Sequence, residues 1–275
     1  MSRGFAKPTG RWRDPMSGWA ARLAERAIVD PAQERRALRL AAGHPRVGSL
    51  EPALAHRMAG EGLPVWADAS GWCLQGEASN ALAEIAHWLH AQGLGGRWRN
   101  ELLAVTDATA SDSHEPLATI ERAAVRPLGI TTHAVHLIVR STAGGVWVQQ
   151  RALDKATDPG LWDTTMGGLR SAHESVQGTL ERETWEEAGL RPADLQGLVP
   201  HGRITVRRPV PDGYLVERTD AFAAVLRSGA TPVNQDGEVA GFACIEPAEL
   251  RQWLQQDRFT LEAALVLLRC LPELR

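Results

Sequence analysis

The amino-acid sequence predicts an α+β protein whose two halves differ in their balance of helix and strand. Three observations support this fold class: a length of 275 residues, amphipathic runs before residue 125, and short β-branched runs with turn signals after it. A chain of this length can form one large domain or two modest ones. We therefore expect a flexible tail at 1–15, an accessory N-terminal domain at 16–125 and a second domain at 126–275.

The first half is predicted to be helix-rich with a few short strands. Apolar residues recur at three- and four-residue spacing in the runs MSGWAARLAERAIV, PAQERRALRLAAG and SNALAEIAHWLHAQG. That spacing is typical of amphipathic helices. The polar, turn-rich segment DATASDSHEP follows these runs and is the clearest candidate for a soft boundary between the halves.

The second half combines strands with one central helix and two closing helices. The runs HAVHLIVRS and GGVWVQQRA are separated by a turn that contains Gly144 and Gly145, which predicts a hairpin. The runs GRITVRRPV and GYLVERTDAFAAVL flank a second turn signal at Pro211, Asp212 and Gly213. EVAGFACI predicts a further strand, and helices are expected at about 246–255 and 259–271.

The composition argues against several classes of function. The net charge of -3 and the pI near 6.3 give no general basic surface for nucleic acid. No apolar run reaches the length of about 18 residues that a membrane helix needs, and the first residues lack the apolar core of a secretory signal. Three widely spaced cysteines, Cys73, Cys244 and Cys270, suggest reduced thiols. We expect a cytoplasmic protein that binds a small molecule, with neither nucleic acid nor membrane as partner.

One motif carries chemistry. The segment GGLRSAHESVQGTLERETWEEAGL has the pattern G-x5-E-x7-R-E-x-x-E-E-x-G, filled by Gly168, Glu174, Arg182, Glu183, Glu186, Glu187 and Gly189. On a helix, the last three glutamates lie within about 100° of one another and share one face. Such carboxylates repel each other unless a cation lies among them, and Mg²⁺ prefers oxygen ligands. The spacing therefore predicts a metal site, with Mn²⁺ as a substitute for Mg²⁺.

This pattern resembles the Nudix box. The resemblance implies an α/β/α sandwich with a mixed sheet, preceded here by the smaller helix-rich α+β domain, and hydrolysis of a phosphorus-containing anhydride. It implies that Glu183 and Glu187 are the principal metal ligands and that Glu186 is a further ligand or a water-positioning base. Glu174 and Arg182 would form an ion pair that orients the helix within the catalytic machinery. Gly168 would let the backbone approach metal or phosphate, and Gly189 would support the box.

Three residues outside the motif are further candidates. Arg151 and Lys155 follow a predicted strand and could bind a diphosphate, the first as a fork and the second as a compact charge. The alternative is that they form surface salt bridges with Asp154 or Asp158. Glu238 lies in a turn-rich loop and is expected to be a further metal ligand or the general base that deprotonates the attacking water.

Further stretches, among them RWRNELLAV, LATIERAAVRPLGI and NQDGEVAGFACI, are similar to a subgroup of Nudix hydrolases with an extra N-terminal domain. That subgroup is related to the Nudix portion of fungal thiamine pyrophosphokinase. The resemblance implies a metabolite-repair diphosphatase that converts thiamine diphosphate, and preferentially its oxidised forms oxythiamine and oxothiamine diphosphate, to the monophosphate and phosphate. The N-terminal domain would wall the cleft, shape selectivity or mediate homodimerisation.

Other activities stay open at the level of sequence. Within hydrolases, the alternative substrates are 8-oxo-dGDP, ADP-ribose and NADH. HAVHLIVRS and QQRALDKATDPGLWDTT also resemble strands of isopentenyl diphosphate isomerase, although that chemistry needs a protonating cysteine and the run from Thr164 to Gly168 has none. The last alternative is a catalytically silent protein that senses a diphosphate.

Overall fold

The computed structural model describes residues 18–110 and 115–275, and within these ranges it contains six α-helices and three β-sheets. The tail predicted at 1–15 lies outside the described residues, as do residues 111–114 of the segment DATASDSHEP. The strands on either side of that segment, β5 (Leu102–Val105) and β6 (Ala118–Glu121), pair with each other in antiparallel fashion.

The N-terminal region builds a four-stranded sheet and the short β5–β6 sheet. Its other elements, in chain order, are α1 (Gly18–Ala27), β1 (Arg36–Arg39), β2 (Arg46–Leu50), α2 (Pro52–Gly60), β3 (Val65–Asp68), β4 (Gly71–Leu74) and α3 (Ala78–Ala91). The strand order is β2-β1-β4-β3, and β1 and β4 run parallel while the other neighbours are antiparallel. The prediction of a helix-rich α+β region is confirmed, with α1 and α3 where the periodicity placed them.

The helix predicted for PAQERRALRLAAG is wrong, because its centre forms β1. Leu38 and Leu40 alternate with more exposed neighbours and are both buried in the N-terminal core. Leu38 is also paired on both sides, with Gly48 of β2 and with Trp72 of β4. These pairings satisfy the backbone of a central strand and override the local helical spacing, since tertiary contacts routinely outweigh propensity.

The C-terminal region forms a seven-stranded mixed sheet. Its elements are β7 (Thr131–Arg140), β8 (Val146–Arg151), β9 (Trp162–Asp163), β10 (Met166–Leu169), α4 (Val176–Ala188), β11 (Leu195–Val210), β12 (Gly213–Leu226), β13 (Val239–Ile245), α5 (Pro247–Gln255) and α6 (Leu261–Cys270). The main order is β11-β12-β7-β8-β13, with β10 paired to β7 and β9 paired to β8. Only β12 and β7 pair in parallel among the described strands of this sheet. The predicted strands, hairpin turns and closing helices are confirmed.

Helices cover both faces of this sheet. Alternate residues of a strand point to opposite faces, so Val135 and Leu137 of β7 pack with Leu180 of α4, whereas Ile138 packs on the other side with Leu268 of α6. The result is the predicted α/β/α sandwich with a mixed sheet. The strand β10, which contains the first residue of the motif, Gly168, pairs with β7 and precedes α4 in the chain.

Residues of the N-terminal and C-terminal regions are buried in each other's hydrophobic cores. Ala20, Leu23 and Ala27 of α1 are buried in the same cluster as α6. Conversely, Leu128 and Ile130, which lead into β7, are buried in the N-terminal core. The domain limits at 16–125 and 126–275 stay a prediction, because the packing of these residues crosses that division. Within the described ranges, no helix is both long enough and apolar enough to cross a membrane.

Candidate active site

The central helix α4 is defined at both ends by local interactions. The Ser175 hydroxyl accepts a hydrogen bond from the Gly178 N–H at 3.0 Å and caps the N-terminus. Gly189 ends the helix at φ +63°, a left-handed conformation that favours glycine, and its N–H donates to the Trp185 carbonyl at 2.8 Å. The last position of the motif is therefore a helix terminator, in keeping with its expected supporting role.

Arg182 organises the acids of the motif. Its Nε and Nη2 donate to the two carboxylate oxygens of Glu174 at 2.6 and 2.8 Å, a bidentate ion pair. Its Nη1 lies 2.9 Å from Oε2 of Glu186 and 2.9 Å from Oε1 of Glu183. The hydrogen bonds from Arg182 hold the pKa of Glu174 below its usual value. Arg182 thus joins the loop before α4 to the acidic face of the helix.

Glu187 is a buried carboxyl, and Glu183 is a largely buried one. Glu187 is 4% exposed, and its Oε2 accepts hydrogen bonds from the Gly167 N–H at 2.9 Å and from Nε2 of Gln149 at 2.8 Å. The Glu183 side chain is 14% exposed. Burial raises the pKa of Glu187 to about 8 and that of Glu183 to about 7. Burial therefore disfavours the charged form of both acids, and a bound cation would compensate for this cost.

Gly168 allows the Glu183 carboxylate to lie against the backbone of β10. A Cβ atom built on Gly168 would lie 2.0 Å from Cδ and 2.2 Å from Oε1 of Glu183. Real Cβ atoms do not approach other heavy atoms so closely, so any side chain at this position would displace the carboxylate. The first glycine of the motif is explained by this close approach.

The donor set fits a hard divalent cation such as Mg²⁺. Glu183 and Glu187 offer carboxylate oxygens, and beside Glu187 the Oε1 atom of Gln149 is buried without a hydrogen-bond partner among the described residues. Glu186 differs from the other two acids, because its side chain is 42% exposed and its carboxylate is bound to Arg182. In the part of the chain that the structure describes, no three His, Cys, Asp or Glu side chains are already arranged as a metal cage.

A cleft of about 410 Å³ brings most of the predicted residues together. The sequence-predicted residues that line it are Arg151, Lys155, Gly168, Glu183, Glu187 and Glu238. Glu174, Arg182, Glu186 and Gly189 do not line it. Arg182 contacts the lining residue Glu183, Glu174 and Glu186 pair with Arg182, and Gly189 ends α4. The cleft therefore brings acids of α4 together with basic side chains from the end of β8 and from the loop that follows it.

Arg151 and Lys155 have different partners from those considered in the sequence. The ammonium of Lys155 pairs with Glu238, and Arg151 Nη1 lies 3.3 Å from Oδ2 of Asp163. Burial would raise the pKa of Glu238, but the hydrogen bond and charge of Lys155 outweigh burial and lower it. Glu238 is consequently held as a carboxylate. Surface salt bridges to Asp154 or Asp158 do not describe these contacts.

The cleft also contains residues that the sequence reasoning missed. His136 on β7 is buried, with Nδ1 2.9 Å from the Thr164 hydroxyl, and burial lowers its pKa. Glu217 on β12 and Glu262 on α6 line the same cavity. Burial, with the charge of Glu262, raises the pKa of Glu217. Alternation along β7 could have placed His136 on the α6 face, whereas no local signal relates Glu217 to Glu262.

Comparison with known proteins agrees with this architecture. The NUDIX domain family matches residues 131–265. An uncharacterised Nudix hydrolase of Pseudomonas aeruginosa is 35% identical over 109 residues, covering 40% of this chain and 60% of that protein. The chloroplastic Nudix hydrolase 20 of Arabidopsis thaliana is 29% identical over 188 residues, covering 66% of this chain and 49% of that protein. The chain thus spans about half to three fifths of the length of these two relatives.

The chain is also similar to an isomerase and to a protein of known structure. An isopentenyl-diphosphate Delta-isomerase of Streptomyces coelicolor is 31% identical over 162 residues, covering 58% of this chain and 80% of that protein. A crystal structure of a MutT protein from Methanosarcina mazei aligns with a TM-score of 0.41 at 18% identity, covering 52% of this chain and 94% of that one. The domain match includes the helix that bears the motif, and together with the sequence relatives it shows that the chain contains a Nudix domain.

Proposed function

We propose that this protein is a Mg²⁺-dependent hydrolase that cleaves the diphosphate linkage of a small organic diphosphate. One observation carries the proposal: a single cleft holds the α4 acids Glu183 and Glu187, the ionised Glu238, and the basic side chains of Arg151 and Lys155. Carboxylates suited to Mg²⁺ and basic groups suited to phosphate are the two requirements of this reaction.

The residues divide the work as follows. Glu183 and Glu187 would hold the cation, and the Gly167 N–H and Gln149 orient the Glu187 carboxylate. When bound, the cation supplies charge neutralisation at phosphate oxygens and lowers the pKa of a water molecule. Arg151 and Lys155 would bind the diphosphate.

Proton removal from the attacking water falls to Glu238 or Glu186. Glu238 is favoured because it lines the cleft and because Lys155 keeps its pKa low enough for it to be ionised. The Glu186 carboxylate accepts a hydrogen bond from Arg182, so we assign it a supporting role on α4 and not the role of the base. To bind the phosphate, Lys155 must give up part of its contact with Glu238. Substrate binding would therefore free the Glu238 carboxylate to act as the base.

Thiamine diphosphate and its oxidised forms are the proposed substrates. Hydrolysis at the terminal phosphate gives thiamine monophosphate and orthophosphate. Glu217 and Glu262 favour a substrate whose organic group carries nitrogen donors or positive charge. Two acids in one cavity interact better with such a group than with a hydrocarbon. Oxidised nucleotides and ADP-ribose also offer N–H donors, so they are the competing substrates.

The relative named as an isomerase makes isopentenyl diphosphate a second candidate substrate. The lining of the cleft argues against it. Among the described residues that form the cavity there is no cysteine; Cys244 is exposed on β13, and Cys73 and Cys270 are buried elsewhere. The protonating thiol that the isomerase chemistry requires is therefore missing from the site.

A panel of diphosphates tests the substrate. With Mg²⁺, we expect phosphorus NMR to show conversion of thiamine diphosphate and oxythiamine diphosphate to monophosphate and orthophosphate, and no change in isopentenyl diphosphate. 8-oxo-dGDP and ADP-ribose complete the panel. Selective turnover of a nucleotide would retain the hydrolase and replace the thiamine assignment. Isomerisation of isopentenyl diphosphate would contradict the proposed reaction.

Gly168→Ala is expected to lower turnover without unfolding the protein. The added Cβ would displace the Glu183 carboxylate, and a displacement of about 1 Å at a catalytic group can cost about a hundredfold in rate. Steady-state kinetics with Mg²⁺ measures the effect. Gly241→Ala is the matched control in the same sheet, because a Cβ there meets nothing within 4 Å. Equal activity of the two variants would remove Gly168 from the site.

A further inference from the structure

The segment that joins β6 to β7 contributes two arginines to the cleft. Arg122 follows β6 directly, and Arg126 lies four residues later. Both line the main cavity and also a neighbouring cavity of about 280 Å³. The two cavities further share Leu215 and Glu217, so they adjoin at this wall. The segment between β6 and β7 therefore contributes to the lining of the cleft, in addition to the motif, the end of β8 and the loop after it.

The ion pairs of Arg122 and Arg126 use only some of the N–H donors of each guanidinium. Nη1 of Arg122 donates to Oε2 of Glu101 at 2.7 Å, and Nη1 of Arg126 lies 3.3 Å from both carboxylate oxygens of Asp212. The side chains are 39% and 31% exposed. A guanidinium carries five N–H donors in a planar fork, and these contacts use only one nitrogen of each. The remaining donors have no acceptor among the described residues, so they are available to an anion in the cavity.

The charges of these arginines reach the acids of the cleft. Arg122 and Arg126 line the same cavity as Glu238 and Glu217. Arg126 and Arg122 also oppose the rise in the pKa of Glu217. Because both arginines line the cavity that contains these acids, their charges act on the space between them. Positive potential there favours a ligand with several negative charges.

We propose that Arg122 and Arg126 form a second anion-binding wall, which binds the diphosphate group of the substrate together with Arg151 and Lys155. The inference rests on the proposed function in one respect, namely that the anion is a diphosphate. It makes the segment 122–126 part of the active site, and it gives the N-terminal region, which supplies Glu101, a role in positioning that wall.

The competing interpretation is that the two arginines only stabilise the fold through their ion pairs. The chain offers a matched test of that point, because each pair can be broken from either side. Arg122→Gln and Glu101→Gln remove the same ion pair, and Arg126→Gln and Asp212→Asn remove the other. Only the arginine variants remove the anion-binding group. Arg36→Gln, which breaks an exposed pair with Glu34, is the control for loss of a surface arginine.

Calorimetric titration of the full-length protein with inorganic pyrophosphate, in EDTA so that turnover does not contribute, measures the wall directly. We expect Arg122→Gln and Arg126→Gln each to raise the Kd about tenfold or more, since charge-assisted hydrogen bonds to phosphate are strong. Glu101→Gln and Asp212→Asn should leave the Kd unchanged or lower it, because they free the guanidinium. Arg36→Gln should have no effect.

Three results would overturn the proposal: no binding of pyrophosphate by the wild-type protein, unchanged binding by the arginine variants, or equal weakening by the acid variants. Thermal unfolding establishes that each variant folds, and Arg122→Lys, which keeps the charge but loses the fork, is expected to bind with intermediate affinity. Arginine-dependent binding without hydrolysis of any diphosphate would retain the wall and reject the hydrolase. Hydrolysis with arginine-independent binding would do the reverse.

Discussion

Glu187→Gln is expected to leave the fold intact and to lower Mg²⁺-dependent turnover by about a thousandfold or more. The substitution conserves size, and its amide oxygen can still accept the hydrogen bond from the Gly167 N–H. It removes the negative charge that a divalent cation needs at the most buried acid of α4. Kinetics on the best diphosphate of the panel, with and without Mg²⁺, provides the measurement.

The matched control is Glu181→Gln. Glu181 lies on the same helix but is exposed, and its contact is with Gln177. Its loss should leave the rate within about twofold, because it contributes to neither the cleft nor the Arg182 network. Full activity of Glu187→Gln, or equal losses in both variants, would contradict the assignment of Glu187 as a cation ligand.

The second large effect concerns the stability of the metal-free protein as a function of pH. The pKa of Glu187 is raised to about 8 and that of Glu183 to about 7, both chiefly by burial. In the unfolded chain both acids titrate near about 4.3, so the folded state binds more protons between these values. Stability is therefore greatest below the unfolded pKa and is lost as the pH rises through the folded values. The loss is expected to be on the order of a few kcal/mol.

The pH range in which this loss of stability is best measured runs from about pH 6.5 to about pH 8.5. Below it, His136 acts in the opposite direction, because its pKa is lowered and its burial as a neutral group favours higher pH. Above about pH 6.5, the raised acids dominate, and Glu217 adds to the same trend because its pKa is also raised. The thermal midpoint in EDTA should therefore fall as the pH increases across this range.

Mg²⁺ is expected to reverse this trend, because it binds the ionised carboxylates of the folded state. The rise in thermal midpoint on adding Mg²⁺ should be larger at the upper end of the window than at the lower end. In Glu187→Gln, the decline with pH should become shallower and the response to Mg²⁺ should nearly disappear. An unchanged pH slope in that variant would show that Glu187 is not the titrating group.

The architecture of the C-terminal region could be predicted well, because its signals are local. β7, β8, β11, β12 and β13 have strand-forming residues bounded by turns, and their positions agree with the sequence prediction. The N-terminal region was harder. There the helical spacing around Leu38 was misleading, since a short apolar pattern does not reveal which strands will flank it.

The same contrast holds within the site. The motif identifies Glu183 and Glu187 as carboxylates on one face of α4, because the geometry of a helix converts spacing directly into position. It does not reveal that Glu186 is bound to Arg182 and does not line the cleft, which depends on where the guanidinium is held by Glu174. Side-chain contacts of this kind depend on the packing around the helix.

The sequence by itself determined the mixed α/β architecture, the acidic helix and the family resemblance, because each rests on periodicity or spacing within a short segment. Only the tertiary structure placed Arg122, Glu217 and Glu262 in the cavity of the motif acids. These three residues are far apart in the chain and come from the β6–β7 segment, β12 and α6. Their proximity results from the packing of sheet and helix over long sequence separations, which no local pattern records.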